Sequence, residues 1–449
     1  MYSLSPYYIE SNDRGCGLWL FNTLTNKLCF LDKELTHEFS THKKTLDRSD
    51  PISQLLIRHK FAFEDEGALI DEIQKIEAQK DKNDGVLYLT IIPTYSCNFR
   101  CAYCYEKHYQ GVISQKTCEA LVQAIENILP RFKGLNVEWF GGEPLIAINA
   151  IKKISASLID ACHKYSIPFV AGITTNGYFL THDNLSTLIA CKIVYYQITL
   201  DCFKEYHDST RFLENGTGTF TKIWNNLINI KCNEKAAYIK ITIRTNFTSE
   251  SIAKKAEWEQ FLANYLLDDK RFSYLPKYAW NNPLSKMKAD SFVRFEYGST
   301  VYDTDFQKES DNNLTKKLVT NKSILASLLL LKNNLRCHSS RSNYFIFMPD
   351  DSLGKCTVHL ESDFNRIGIL NEETKQFVFF ENQLDYWTCI SSEKCQKCKV
   401  YPICLGGASC IPKFKKTGTV YCSKIIGDIT HKINCLNMKD DLYKQALLK

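Results

Sequence analysis

A chain of 449 residues exceeds one simple core, so two or three domains are expected. Hydrophobic residues at 44% and charged residues at 24% fit a water-soluble globular protein. A net charge of +6 carried by scattered Lys and Arg gives no polybasic stripe, so nucleic acid is not the expected partner.

The start, "MYSLSPYYIESNDRG", lacks the basic, apolar and small-residue succession of a secretory signal. No run approaches the ~20 apolar residues of a membrane span. A cytoplasmic protein with reduced thiols and no membrane partner is the expectation. Residues 16–45 read as two short strands around "LTNK" and a helix from near Lys33. Helical sequence continues to the charged "AQKDKNDG" near residue 83, which reads as a linker.

Apolar, β-rich runs at 86–94, 135–144, 169–177, 193–201 and 238–248 then alternate with helical stretches, among them 115–129 and one from about Phe220. Strands alternating with helices of this length build βαβ units and a parallel sheet. Repetition of the unit predicts an α/β fold, a partial (β/α)6 TIM-like barrel, with ligands at the C-terminal strand ends. "SILASLLLLKNNL" at 323–335 reads as a buried helix. The expected domains are a hairpin–helix domain at 1–83, the barrel at 84–290, a bridging segment at 291–336 and a cysteine-rich domain at 337–449.

Nineteen cysteines are many for a reduced compartment. Cys16, Cys29, Cys118, Cys162, Cys191, Cys202 and Cys232 are isolated and read as small buried hydrophobes. "YSCNFRCAYCYE" differs: Cys97, Cys101 and Cys104 follow the first barrel strand with three and then two residues between them. Three thiolates can hold three irons of a [4Fe–4S] cluster and leave the fourth iron for a small chelating ligand. The competing reading is zinc with a distant fourth ligand.

This spacing resembles the radical S-adenosylmethionine (SAM) superfamily. The resemblance implies that the methionine amine and carboxylate of SAM occupy the open iron. The reduced cluster then splits the C5′–S bond, and the 5′-deoxyadenosyl radical abstracts a hydrogen. Cys97, Cys101, Cys104 and Arg211 would be the catalytic set.

Gly141, Gly142, Glu143 and Pro144 resemble the family motif that binds the methionine amine. "ITLDCFKEYHDSTR" at 198–211 resembles a stretch in which Thr199 would contact ribose or methionine and Arg211 the carboxylate. The family's Gly-Pro is Cys202-Phe203 here, which leaves the shape of that loop open. Arg244 and Asn246 would reach the cofactor, and Tyr103 would place its backbone against adenine. "TTNG" at 174–177 is either pocket lining or a plain turn.

From Cys337 onward the cysteines resemble the SPASM extension, which carries two auxiliary [4Fe–4S] clusters. By position Cys395, Cys398, Cys404 and Cys422 would hold the distal cluster, and Cys337, Cys356 and Cys410 the nearer one. Asp351 stands where glycine is usual, and "LGGAS" separates Cys404 from Cys410 where three residues are typical. Cys389 would complete the nearer cluster or leave an iron open, and Cys435 has no assignment. Zinc-ribbon knuckles remain the alternative for the Cys-x2-Cys pair.

SPASM proteins act mostly on peptides. The N-terminal "LWLFNTLTNKLCFLDKELTHEF" is similar to the segment with which peptide maturases carry a leader. The implied function is maturation of a ribosomally synthesised precursor peptide, forming a thioether or another cross-link. A reductant such as flavodoxin or ferredoxin would be a partner. The alternatives are an anaerobic sulfatase (formylglycine-generating) maturase, with Asp268 or Asp269 as its acid, and a non-catalytic zinc-dependent peptide-binding protein.

Overall fold

The computed structural model describes residues 2–13, 17–42, 46–47, 49–78, 84–233, 236–279, 286–288, 291, 328, 337–388, 392–406, 410–418, 429–430 and 432–433. They belong to two compact units. Residues 1–83, 297–342 and 388–449 make one, and 84–296 with 343–387 the other. The stretch from 337 onward is thus shared between the two.

In the first unit, the chain runs through β1 (Ser3–Leu4), β2 (Tyr8–Asp13), β3 (Gly17–Asn22), β4 (Lys27–Leu31), α1 (Lys33–His42), α2 (Pro51–Arg58), β5 (Ala62–Phe63) and α3 (Glu66–Ala78). Strands β2, β3 and β4 form an antiparallel sheet in that order. The β3–β4 hairpin and α1 match the sequence reading; β2 does not. Its "YIESND" is rich in turn-forming residues, and pairing with Gly17–Asn22 overrides that composition.

Short helices α10 (Glu393–Gln396), α11 (Tyr401–Cys404) and α12 (Ile411–Thr417) belong to the same unit. Ile9, Trp19, Phe21 and Leu28 share a core with Val400, Ile403 and Cys404. Tyr7 and Thr23 donate their hydroxyls to the carbonyls of Gln396 and Lys399, both at 2.6 Å. The N-terminal sheet and the late cysteine segment therefore share one compact unit.

The second unit opens with β6 (Val86–Ile91), α4 (Gln115–Ile128), β7 (Gly134–Trp139), α5 (Ile148–Lys164), β8 (Phe169–Thr175) and α6 (His182–Ala190). It continues with β9 (Ile193–Thr199), α7 (Lys204–Thr210), α8 (Phe220–Lys231), β10 (Lys240–Phe247), α9 (Lys255–Tyr265) and β11 (Phe272–Tyr278). Strands β6 to β11 lie side by side, all parallel. This is the partial (β/α)6 barrel. Beyond β6 the sheet continues through β12 (Tyr344–Phe347), β13 (Ser352–Gly354), β14 (Gly368–Asn371) and β15 (Gln376–Phe379), reaching ten strands.

Helix caps follow local chemistry: Ser114 accepts the Thr117 N–H at 3.0 Å to start α4. One strand face is mainly apolar, with Leu87, Ile91, Val137, Trp139, Ile173, Ile198 and Ile243 buried. The alternate positions carry Asn136, Glu138, Thr174, Gln197, Thr199 and Arg244. Buried parallel strands are normally apolar on both faces. Here the polar face leaves room for a ligand instead of a packed core.

Cys29, Cys118, Cys162, Cys191 and Cys202 are buried, as expected for small hydrophobes. Cys232 is exposed, because it caps the C-terminal end of α8 rather than a core face. Cys16 lies outside the described residues. Of 323–335 only Leu328 is described; it is helical and buried.

Candidate active site

After β6 the chain enters the loop that carries Cys97, Cys101 and Cys104. Two neighbours fix its path. On one side, Gly142 and Glu143 donate their N–H groups to the carbonyls of Thr94 (3.3 Å) and Ser96 (2.9 Å). A Cβ on Gly142 would strike the carbonyls of Tyr95 and Ser96, and Gly141 has φ +121° with the Thr94 carbonyl beside it. Glycine is required at both places. On the other side, Arg100 and Ala102 donate to the carbonyls of Phe212 and Thr210, both at 2.8 Å. Those bonds bring Arg211 beside the cysteine loop.

Burial pushes the Cys97, Cys101 and Cys104 thiols above their ordinary range, Cys104 to about 12. Further upward pressure comes from Glu143 on Cys97 and from Cys101 on Cys104, while Arg211 pulls Cys101 down. Three protonated thiols on one loop ionise only when a metal centre takes their protons' place. Three thiolates on one loop can hold three irons of a cubane cluster.

Beside the thiols lies a buried polar group. Tyr103 donates its hydroxyl to Asp201 and accepts from Arg211 Nη1 at 3.0 Å. Asn246 donates its backbone N–H to Asp201 at 2.8 Å, and Arg244 Nε reaches Asn246 Oδ1 at 3.0 Å. Burial opposes the Arg211 charge, but Cys101, Tyr103 and Asp201 outweigh it and keep the guanidinium charged. His207 accepts the Asp201 N–H at 3.0 Å and meets Thr219 Oγ1 at 3.0 Å; burial lowers its pKa to about 3, so it is a neutral brace.

Glu143 is fully buried. Its carboxylate accepts from the Thr175 hydroxyl (2.7 Å), the Asn176 N–H (2.7 Å) and the Leu145 N–H (3.0 Å). It thereby ties the glycine turn to the end of β8.

These groups surround a cavity that opens to solvent at the C-terminal ends of the barrel strands. Cys97, Cys101, Tyr103, Cys104, Gly141, Gly142, Thr199, Arg211, Arg244 and Asn246 all line it. Glu143 stands behind the wall. Thr174, Thr175 and Asn176 also line the cavity, which decides the reading of 174–177 for pocket lining.

Asp268 and Asp269 do not line it: they pair with Lys231 (2.6 Å) and Arg271 (2.7 Å). They precede β11, whereas the cavity sits at the strands' C-terminal ends. Sequence reading passed over Asp201, Glu106 and Gln197. Asp201 stood inside a quoted motif, and Glu106 two residues past the last cysteine.

Arg211 Nε is buried and donates to no protein atom. An orphaned guanidinium N–H beside three thiols and a glycine-built turn fits a carboxylate-bearing cofactor held next to a cluster. A family model described as the radical SAM superfamily matches residues 91–254.

Residues 91–254 are a radical SAM domain, and the chain is an enzyme that uses SAM.

That family implies SAM and a [4Fe–4S] cluster as cofactors; when bound, they would supply a 5′-deoxyadenosyl radical. The radical SAM enzyme is 25% identical over 348 residues to a cysteine-type anaerobic sulfatase-maturating enzyme of Clostridium novyi (strain NT), covering 72% of this chain and 87% of that one. Its fold resembles native anSMEcpe with bound AdoMet and Cp18Cys peptide: TM-score 0.57, 19% identity, 81% of this chain and 100% of that chain. Streptococcus suis SuiB is a looser match: TM-score 0.46, 17% identity, 94% and 99% coverage. No helix among the described residues is long and apolar enough to cross a membrane.

Proposed function

We propose that this radical SAM enzyme matures a ribosomally synthesised precursor peptide, forming a thioether or another cross-link. In this reading Cys97, Cys101 and Cys104 hold the cluster, and Arg211 binds the cofactor carboxylate through its orphaned Nε. Thr199, Arg244, Asn246 and the Gly141–Gly142 turn line the cofactor's path, with Tyr103 locked against Asp201. Glu143 orients the turn rather than touching the ligand.

The observation that carries the peptide reading is the antiparallel sheet of the first unit. It ends in β2 on one side and β4 on the other, and an edge strand can pair with an extended leader. Reductive activation assigns the protein a reductant such as flavodoxin or ferredoxin in the cytoplasm.

Auxiliary clusters in a SPASM-like domain belong to the same proposal. Cys395 and Cys404 are buried, and Cys398 packs against the cores that contain them. Cys356 is held by Asn365, whose Oδ1 accepts its N–H at 2.8 Å. Cys337 and Cys410 are partly buried, while Cys389, Cys422 and Cys435 lie outside the described residues. Three four-iron clusters correspond to roughly twelve irons per chain. Zinc knuckles would leave the visible cluster absorbance to the first loop alone.

Reduced enzyme incubated with the precursor peptide encoded beside it is expected to yield a product two hydrogens lighter. Unchanged mass with deuterium gained from solvent would mark epimerisation and refute cross-linking. The sulfatase-maturing reading is favoured by the Clostridium novyi relative. It predicts turnover of a sulfatase-derived peptide that survives deletion of residues 1–80, whereas leader-dependent maturation is lost.

A further inference from the structure

Glu106 stands two residues past Cys104 and lines the cavity together with Cys101, Tyr105 and His108. Its Oε2 is shielded from water and accepts a hydrogen bond from no protein atom. Cations nearby bond other residues: Arg211 Nη1 donates to Tyr103 at 3.0 Å, Arg244 Nε to Asn246 at 3.0 Å, and Lys107 pairs with Glu361. His108 Nε2 meets Cys104 Sγ at 3.6 Å.

A desolvated carboxyl oxygen without a partner is costly, and a native fold keeps one where a ligand completes it. Cys101 and Cys104 share the neighbourhood and add negative charge once ionised. A neutral donor would supply only a hydrogen bond, whereas a positively charged N–H also offsets this field.

We propose that Glu106 forms a subsite for a positively charged N–H group of the bound ligand. This deepens the peptide-maturase reading and rests on it. Two ligands can bring that chemistry: the amino group of the cofactor's methionine part, or a guanidinium or ammonium side chain of the peptide. Glu106 breaks and makes no covalent bond; it positions the group that it receives.

The test uses the cluster-loaded full chain and two variants. Glu106→Gln removes the charge at constant size, and Glu106→Asp keeps the charge on a shorter stem. Binding of S-adenosylhomocysteine is measured by calorimetry. Binding of N-acetylarginine amide, with its neutral isostere N-acetylcitrulline amide, is measured by ligand-observed NMR.

A fall of about tenfold in S-adenosylhomocysteine affinity in Glu106→Gln, with Glu106→Asp in between, assigns the cofactor's amine. Unchanged S-adenosylhomocysteine affinity with loss of arginine-over-citrulline preference assigns the peptide. If neither affinity moves, or if both variants lose both equally at normal iron content, the proposal is overturned. Release of 5′-deoxyadenosine by the wild type, followed in parallel, tests the underlying radical SAM reading separately.

Discussion

Arg211 Nη1 donates to the Tyr103 hydroxyl at 3.0 Å, joining the residue that ends α7 to the middle of the cysteine loop. The same hydroxyl donates to Asp201, itself fixed by the Asn246 N–H at 2.8 Å. One buried carboxylate thus anchors both a cofactor-facing cation and the loop that carries the thiols. Asp201→Ala would leave the Tyr103 hydroxyl and the Asn246 N–H without their buried acceptor. An unsatisfied buried group typically costs about 1–3 kcal/mol, and a chemical denaturation curve of the variant is expected to shift by that order.

Arg211→Lys keeps the charge but not the guanidinium fork. A single ammonium cannot serve Tyr103 and also present the second donor that Nε now offers. SAM affinity is expected to fall at least about tenfold, about 1.4 kcal/mol, while iron content stays at the wild-type level. Calorimetry with the loaded enzyme reads the first and iron analysis the second.

Cys202 is fully buried with φ 53°, a left-handed conformation that costs a non-glycine residue about 1–2 kcal/mol. The loop therefore keeps a glycine-like backbone even though the family's glycine is replaced. Cys202→Gly trades relief of strain against lost packing and is expected to change stability by less than about 1 kcal/mol. Cys202→Val, branched at the strained position, is expected to cost about 3 kcal/mol. Thermal unfolding of the two variants checks the contrast.

The barrel and its ligand end were legible because periodicity reports burial. Leu87, Ile91, Val137 and Trp139 repeat at the strand spacing, and the motifs follow the strands in order. Strand β2 was not legible, since its Glu10, Ser11, Asn12 and Asp13 look like a loop until β3 pairs with them. The shared core of Trp19 with Ile403 spans most of the chain length, and no local pattern encodes so distant a contact. Cysteine, glycine and arginine positions in the site could be read from spacing. Asp201 and Glu106 could not, because burial and missing partners give an acid its meaning, and both are properties of the fold.

Glu138 faces Gly172 across the sheet and accepts the Thr174 hydroxyl at 2.9 Å. Burial raises its pKa from 4.5 to about 7. Between those values the folded protein holds a proton that the unfolded chain has released, so stability declines as pH rises from 4.5 toward 7 and then levels. Glu138→Gln is expected to remove that part of the decline and to stabilise the protein at pH above 7 by on the order of 2 kcal/mol. Denaturation midpoints across this pH range, compared with wild type, give the measurement.

The most direct test of the account measures 5′-deoxyadenosine after anaerobic reduction of the cluster-loaded chain with SAM. The wild type is expected to release it, and Cys97→Ala, deprived of one of the three loop thiols, is expected to release none. A wild type that releases none despite full iron loading, or a Cys97→Ala variant that matches it, would contradict the assignment of this loop as the site of SAM cleavage.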